Sequence, residues 1–256
     1  MRARKRFGQH FLHDPAVLDR IAGAIGVRPQ DALVEIGPGR GALTQLLVAA
    51  EPHSLDAIEI DRDLADLLRA GFGQVPSFTL HEADALEFDF TALARARGRK
   101  LRIVGNLPYN ISTPLLFHLL EHVSALEDMH VMLQREVVNR IAAQPGSGDY
   151  GRLSVMLAPW LEPEALFDVG PGAFQPPPRV WSAVVRLTVR QEPAFVVSPK
   201  FGAVVAAAFS QRRKTLRNAL KGLLSAAQIE ACDVDPGARP ETLPPEAFNR
   251  LAQAAA

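Results

Sequence analysis

The tetrapeptide Asn106-Leu107-Pro108-Tyr109 holds groups suited to work on a conjugated amine. The carboxamide oxygen of Asn106 and the free backbone carbonyl of Leu107 or Pro108 can each accept one hydrogen of an exocyclic amine such as N6 of adenine. That nitrogen is a poor nucleophile, because its lone pair is delocalised into the ring. Two acceptors draw it toward tetrahedral geometry and aim the lone pair at an electrophilic methyl group. The reaction is then an in-line displacement governed by position and electrostatics, with no strong general base. Tyr109 offers a π-face on which an extruded base can stack, a contact worth about 1–3 kcal/mol. Out of context, the same residues also read as an ordinary strand-to-loop turn.

Upstream, Leu33-Val34-Glu35-Ile36-Gly37-Pro38-Gly39-Arg40-Gly41-Ala42 runs from a strand through a glycine-rich turn into a helix. Such turns let backbone amides approach a ligand at a helix N-terminus. The pattern also fits a dinucleotide site, with Glu59 placed 20 residues after Gly39 as a ribose-binding acid. Glu59 ends the next strand, where a carboxylate can accept both hydroxyls of a ribose. Asp84 follows the third strand, placed to accept from an adenine amino group. Each acid alone also reads as a solvated loop residue or helix cap. Together they line the carboxyl edge of one sheet, where ligands of open α/β folds bind.

Two further patterns need weighing. His118-Leu119-Leu120-Glu121-His122 fits the H-x-x-E-H arrangement of some metalloproteases. No distant third ligand accompanies it, so no metal is expected and the stretch reads as a helix flank. Between Ser198 and Ile229 there are six basic residues (Lys200, Arg212, Arg213, Lys214, Arg217, Lys221) and no acid. Spacing by four puts Arg213, Arg217 and Lys221 on one ridge of a helix that buries Leu216, Leu220 and Leu223. That ridge reads either as a solvated face or as a phosphate-binding surface.

The elements that must position these residues alternate. Strand-length apolar runs at Ala32–Ile36, Ser54–Ile60, Ser77–His81, Leu101–Gly105 and Met129–Gln134 are separated by helical patterns at Gly41–Ala50, Asp63–Gly71, Phe90–Arg97 and Thr113–His122. Asp14–Ile25 adds a helix before the first strand. This alternation predicts an α/β domain with a mostly parallel sheet. Ala165–Val169 and Val180–Arg190 are joined by too short a connection for a helical crossover, so they predict an antiparallel closing hairpin. Composition shifts near Gln191-Glu192-Pro193. Helical patterns follow at Phe201–Phe209, Lys214–Leu224, Ala226–Cys232 and Pro244–Ala255. Residues 1–190 are therefore expected to form the main domain, with a short basic N-terminal arm, and 191–256 a small all-α domain.

The 256 residues balance 28 basic against 28 acidic side chains, so overall charge does not announce a nucleic-acid binder. The distribution does more: Glu51 to Asp66 holds six acids against Arg62 alone. No apolar run approaches the roughly 18–20 residues that a membrane helix needs. The basic start lacks the apolar segment of a secretory signal, and the single cysteine, Cys232, suits a reducing cytoplasm. A cytoplasmic, monomeric protein is the expectation.

Phe7-Gly8-Gln9-His10-Phe11-Leu12, the glycine turn, Glu59, Asp84, Asn106–Thr113, Phe174-Gln175-Pro176-Pro177-Pro178-Arg179-Val180, Phe209–Asn218 and Arg239–Leu243 occur in that order. Along essentially the whole chain they resemble the small-subunit ribosomal RNA adenine N6,N6-dimethyltransferases. The resemblance implies a Rossmann-like S-adenosylmethionine-dependent methyltransferase domain. It implies that the cofactor is held at His10, Leu12, Gly37, Glu59, Asp84 and Asn106, and that Phe174 grips a flipped adenine opposite Tyr109. The implied substrate is a pair of adjacent adenines in a hairpin near the 3′ end of 16S rRNA, within a small ribosomal subunit during assembly. Arg212, Arg213, Lys214, Arg217 and Lys221 are the residues expected to touch RNA.

Two positions depart from the family pattern. His10 stands where many relatives carry Asn, leaving open a contact through the ring or the backbone. Trp181 stands where relatives often carry an acid, and either packs under the hairpin or meets RNA. The alternatives to the small-subunit enzyme are a large-subunit rRNA adenine methyltransferase of antibiotic-resistance type, against which the Phe209–Asn218 run argues, and a mainly non-catalytic assembly or nucleic-acid-binding factor.

Overall fold

The computed structural model describes residues 10–211 and 213–255. The basic N-terminal arm with Phe7, and Arg212 of the basic run, lie outside these described residues. Among the described residues nine strands run in chain order as β1 (Phe11–Leu12), β2 (Ala32–Ile36), β3 (Ser54–Glu59), β4 (Phe78–Glu82), β5 (Leu101–Asn106), β6 (Leu126–Gln134), β7 (Leu161–Val169), β8 (Phe174–Gln175) and β9 (Ser182–Val189). Seven form one sheet in the order β4-β3-β2-β5-β6-β9-β7. β4 through β6 pair in parallel, and β9 runs antiparallel to β6, with Gln134 opposite Ser182. β2, β3 and most of β5 are buried along their whole length, which explains their unbroken apolar reading.

Helices between the strands carry local start and stop signals. Asp14 caps Pro15–Ile25 by accepting from the N–H groups of Ala16 and Val17, with proline at the first turn and Gly26 left-handed at the end. That helix and Ala42–Ala49 pack Leu18, Ile21, Ile25, Leu43 and Leu47 against Leu33, Leu55 and Val104 of the sheet. At the amino ends of β2, β5 and β6, Arg102 is 4% exposed and joins Asp31 and Asp128, also donating to the Ile25 carbonyl at 2.7 Å. A buried cation needs such full pairing, since an unmatched charge there would be severely destabilising. The amino edge of the sheet thus carries a structural ion-pair network.

The chain divides into two compact units, one comprising the described residues up to Val138 with Pro163–Val189, the other Asn139–Glu162 with Arg190 onward. The expected division at residue 190 therefore needs correcting for Asn139–Glu162. This segment joins the second unit because Tyr150 and Val155 pack into a core with Phe201, Val205, Leu216 and Phe248. Helices Arg135–Ala142 and Arg152–Leu157 in this region were not anticipated, nor was the two-stranded sheet that pairs β1 with β8.

Lys214–Leu224 is not one helix. Only Leu216–Ala219 is helical, because the N–H groups of Leu216 and Arg217 are drawn to the carbonyls of Ala238 and Pro236, and Gly222 turns the chain with a φ of 93°. Leu216, Leu220 and Leu224 are buried, whereas Leu223, assigned to the buried face, is exposed. Arg213, Lys214, Arg217 and Lys221 are exposed all the same, on a turn–helix–turn instead of a continuous ridge. Among the described residues no helix is long and apolar enough to cross a membrane.

Candidate active site

A cavity of about 310 Å³ opens at the carboxyl edge of the sheet in the first unit. It brings together His10, Leu12, Gly37, Glu59, Asp84 and Asn106–Tyr109, residues separated by up to 99 positions in sequence. The close approach of β5 to β2 depends on Gly105. Its φ of 153° is accessible to glycine, and a Cβ there would sit 2.4 Å from the Ile36 carbonyl oxygen. Gly39, at φ 58°, directs its N–H to Glu59 Oε2 at 3.2 Å while lying against the Phe11 ring.

Glu59 is 5% exposed, and Oε1 also accepts the Asp61 N–H at 2.9 Å. Burial pushes its carboxyl up, against the opposing pull of the Asp61 and Gly39 N–H groups. Asp84 is fixed by accepting the Leu86 N–H at 2.9 Å. Both acids remain in the cavity wall as acceptors for a polar ligand.

The Asn106–Tyr109 loop is tied down on several sides. Asn106 spends its amide N–H on the His10 carbonyl at 3.0 Å, which leaves Oδ1 as the acceptor end of the carboxamide. The Leu107 N–H donates to the Met132 carbonyl, and the Pro108 carbonyl accepts from Ile111 at 3.1 Å to close the turn. Of the two carbonyls considered from sequence, Pro108's is therefore engaged in that turn. The Tyr109 hydroxyl lies 2.6 Å from Ser182 Oγ, and burial raises its phenol above the usual range in spite of that bond.

The ring and the backbone of His10 are both bonded within the protein. Its Nδ1–H donates to the Pro176 carbonyl at 2.8 Å, and its backbone carbonyl holds Asn106. Its ring stacks on Tyr109 at 5.7 Å, so one face of that tyrosine is already occupied. Phe174 is 2% exposed and packs in the core, outside the cavity lining. Through β8 it pairs with Leu12, and this fixes the strand that carries His10 and Leu12 into the cavity.

Sequence reasoning missed Glu35, Ser182 and His130. Glu35 lies in the cavity wall at 2% exposure, bonded by the Thr44 hydroxyl at 2.6 Å. Burial, reinforced by the charge of Glu59, pushes its carboxyl up to about 7 although Thr44 pulls the other way. The available signal was an acid inside an otherwise apolar buried strand. Ser182 and the cavity-lining His130 gave none, because their roles come from strands paired far along the chain.

The H-x-x-E-H stretch is structural. His118 Nε2 donates to the Phe88 carbonyl at 2.9 Å, His122 Nδ1 meets the Thr91 hydroxyl at 2.7 Å, and both rings pack on Phe90. Among the described residues no group of three or more His, Cys, Asp or Glu is arranged to hold a metal.

The family model described as ribosomal RNA adenine dimethylase matches residues 1–256. The chain is 59% identical over 253 residues to the ribosomal RNA small subunit methyltransferase A of Pseudomonas aeruginosa, covering 98% of this chain and 94% of that protein. It is 56% identical over 253 residues to the protein of the same name from Nitrosococcus oceani, covering 98% and 95%. Among solved structures it is similar to the 23S rRNA methyltransferase ErmE, at 28% identity and a TM-score of 0.73 over 96% of this chain and 99% of that one. A dimethyladenosine transferase from Plasmodium falciparum shares the fold, at 24% identity and a TM-score of 0.80 over 94% and 96%. The chain belongs to the ribosomal RNA adenine dimethylase family and has its Rossmann-like α/β fold.

Proposed function

We propose that this protein transfers methyl groups from S-adenosylmethionine to N6 of two adjacent adenines in a 3′-terminal hairpin of 16S rRNA, giving N6,N6-dimethyladenosines on a small ribosomal subunit. The observation that carries this reading is the placement of Asn106-Leu107-Pro108-Tyr109 in the wall of the same cavity as Glu59 and Asp84. The residues present fit the cofactor. Glu59 supplies a carboxylate for ribose hydroxyls, Asp84 an acceptor for the adenine amine, and Gly37 and Gly39 let backbone approach. When bound, the cofactor supplies an electrophilic methyl group.

The chain's own residues prepare the nucleophile. Asn106 Oδ1 accepts one N6 hydrogen and the Leu107 carbonyl the other, while the Pro108 carbonyl also accepts the Ile111 N–H that closes the turn. The Tyr109–Ser182 bond and the His10 ring hold the loop so that no reorganisation is required as charge develops. The exposed Arg213, Lys214, Arg217 and Lys221 supply cationic surface for phosphates. Relatives at 59% and 56% identity carry a small-subunit name, whereas the 23S enzyme stands at 28%, which favours the small subunit as substrate. Labelled methyl transfer to undermethylated small subunits, with no transfer to large subunits, tests the assignment directly.

Two variants probe the two kinds of binding. Glu59→Ala weakens S-adenosylmethionine binding by about 1.5–3 kcal/mol, the usual loss for hydrogen bonds to a charged acceptor. Titration calorimetry on a folded variant checks it, and unchanged affinity would take Glu59 out of the cofactor site. Replacing Arg213, Arg217 and Lys221 together weakens subunit binding and flattens its salt dependence by about one log–log unit per lost phosphate contact, leaving cofactor affinity intact. An unaltered slope would make these positions a solvated face.

A further inference from the structure

Trp181 is 49% exposed, although an indole is usually well sequestered in a folded domain. Its main chain is nonetheless fixed. The Trp181 carbonyl accepts the Arg135 N–H at 2.9 Å, and the next residue, Ser182, is fully buried opposite Gln134 at the carboxyl end of β6. Ser182 is also the partner of the Tyr109 hydroxyl at 2.6 Å. Trp181 thus stands one residue from the wall of the catalytic loop, on the same edge of the sheet.

The indole is supported from the protein side. The Arg135 guanidinium lies 5.7 Å from its ring centroid, and a Cβ placed on Gly170 would be 3.6 Å from the ring. Asp168, the acid beside it, is matched by Arg135 at 3.4 Å. Val180 is 44% exposed, and Pro176, Pro177 and Arg179 are exposed as well. An exposed aromatic face with the Arg135 guanidinium close by suits an unpaired nucleobase and its phosphate, since stacking tolerates any base and the cation adds to it.

We propose that Trp181 stacks on the unpaired base next to the adenine held at Asn106–Tyr109, so that it retains one of two neighbouring adenines while the other is methylated. This rests on the reading of the loop as an adenine site. It makes Trp181 a substrate-positioning residue with no part in cofactor binding.

The test uses the full chain and a hairpin RNA whose loop carries two adjacent adenines. Trp181 emission, taken as the difference between wild type and Trp181→Phe, is quenched on adding this RNA. The quench is lost when the neighbouring nucleotide is abasic. Trp181→Ala, with an unchanged melting temperature, binds the hairpin about 5- to 100-fold more weakly, and Trp181→Phe keeps most of the affinity. With small subunits, Trp181→Ala raises KM far more than it lowers the saturated single-turnover rate. Equal binding of wild type and Trp181→Ala, or full quenching by the abasic RNA, overturns the proposal. Failure of the adenine-site reading has a separate signature, the absence of methyl transfer by wild type to small subunits.

Discussion

Asn106→Ala lowers the single-turnover rate of methyl transfer by on the order of 10²–10³, the usual effect of removing one preorganised polar contact to a developing charge. The loss falls in the chemical step. In the proposed mechanism subunit affinity comes from a broad cationic surface, whereas Asn106 acts only at the flipped base. The variant also loses the 3.0 Å bond to the His10 carbonyl, so cofactor affinity falls with it. The decisive measurement is therefore made at saturating cofactor and subunit, with the fold checked by thermal melting. A rate within a few-fold of wild type would rule out the amine-activation mechanism assigned to Asn106-Leu107-Pro108-Tyr109.

The direction of the Asn106 carboxamide explains why so small a group can matter. In water its oxygen and nitrogen would exchange places freely. Here the nitrogen is committed to a backbone carbonyl, which can only accept, so the oxygen is the end left for the substrate amine. Leu107 contributes in the same way through its backbone. Its side chain is buried and its N–H donates to the Met132 carbonyl, which anchors the residue at the junction of β5 and β6. Side-chain substitution at Leu107 would leave that carbonyl in place, and for this reason the test rests on Asn106.

Part of the candidate site was legible in the sequence because Glu59 and Asn106 each end a strand with a clear apolar run. Glu59 closes β3 and Asn106 closes β5, so a parallel sheet places both at one edge whatever the exact register. What stayed hidden depends on pairing between distant segments. β1 is only Phe11–Leu12, too short to show any period, and it exists as a strand because β8 lies beside it 163 residues later. Ser182 and Tyr109 meet across 73 residues for the same kind of reason. The error at Lys214–Leu224 is local: spacing by four matched a helix, but a left-handed glycine and long-range hydrogen bonds to Ala238 and Pro236 outweighed the pattern. Asn139–Glu162 was assigned to the wrong unit because its apolar residues reveal their partners only in the folded core.

Glu35 gives the site a proton of its own. A carboxyl raised from 4.5 to about 7 binds a proton in the folded protein at pH values where the unfolded chain has released it. Stability from this group is fully present below pH 4.5 and is lost as pH rises toward 7, by at most about 3 kcal/mol. A net-positive ligand in the cavity reverses the preference, because it favours the ionised carboxylate. S-adenosylmethionine binding near pH 6 is therefore expected to release up to one proton and to tighten as pH rises, levelling off above 7. The thioether product, which lacks the sulfonium charge, shows a shallower dependence. Calorimetry in two buffers of different ionisation enthalpy counts the protons without any turnover. Glu35→Gln removes the dependence while Glu59, Asp84, Arg40, His10 and His130 stay in the cavity wall. Proton release that is the same in Glu35→Gln and wild type would assign the linkage to Glu59 instead. Cofactor affinity that stays flat from pH 5 to 8 in wild type would mean that Glu35 keeps one protonation state throughout.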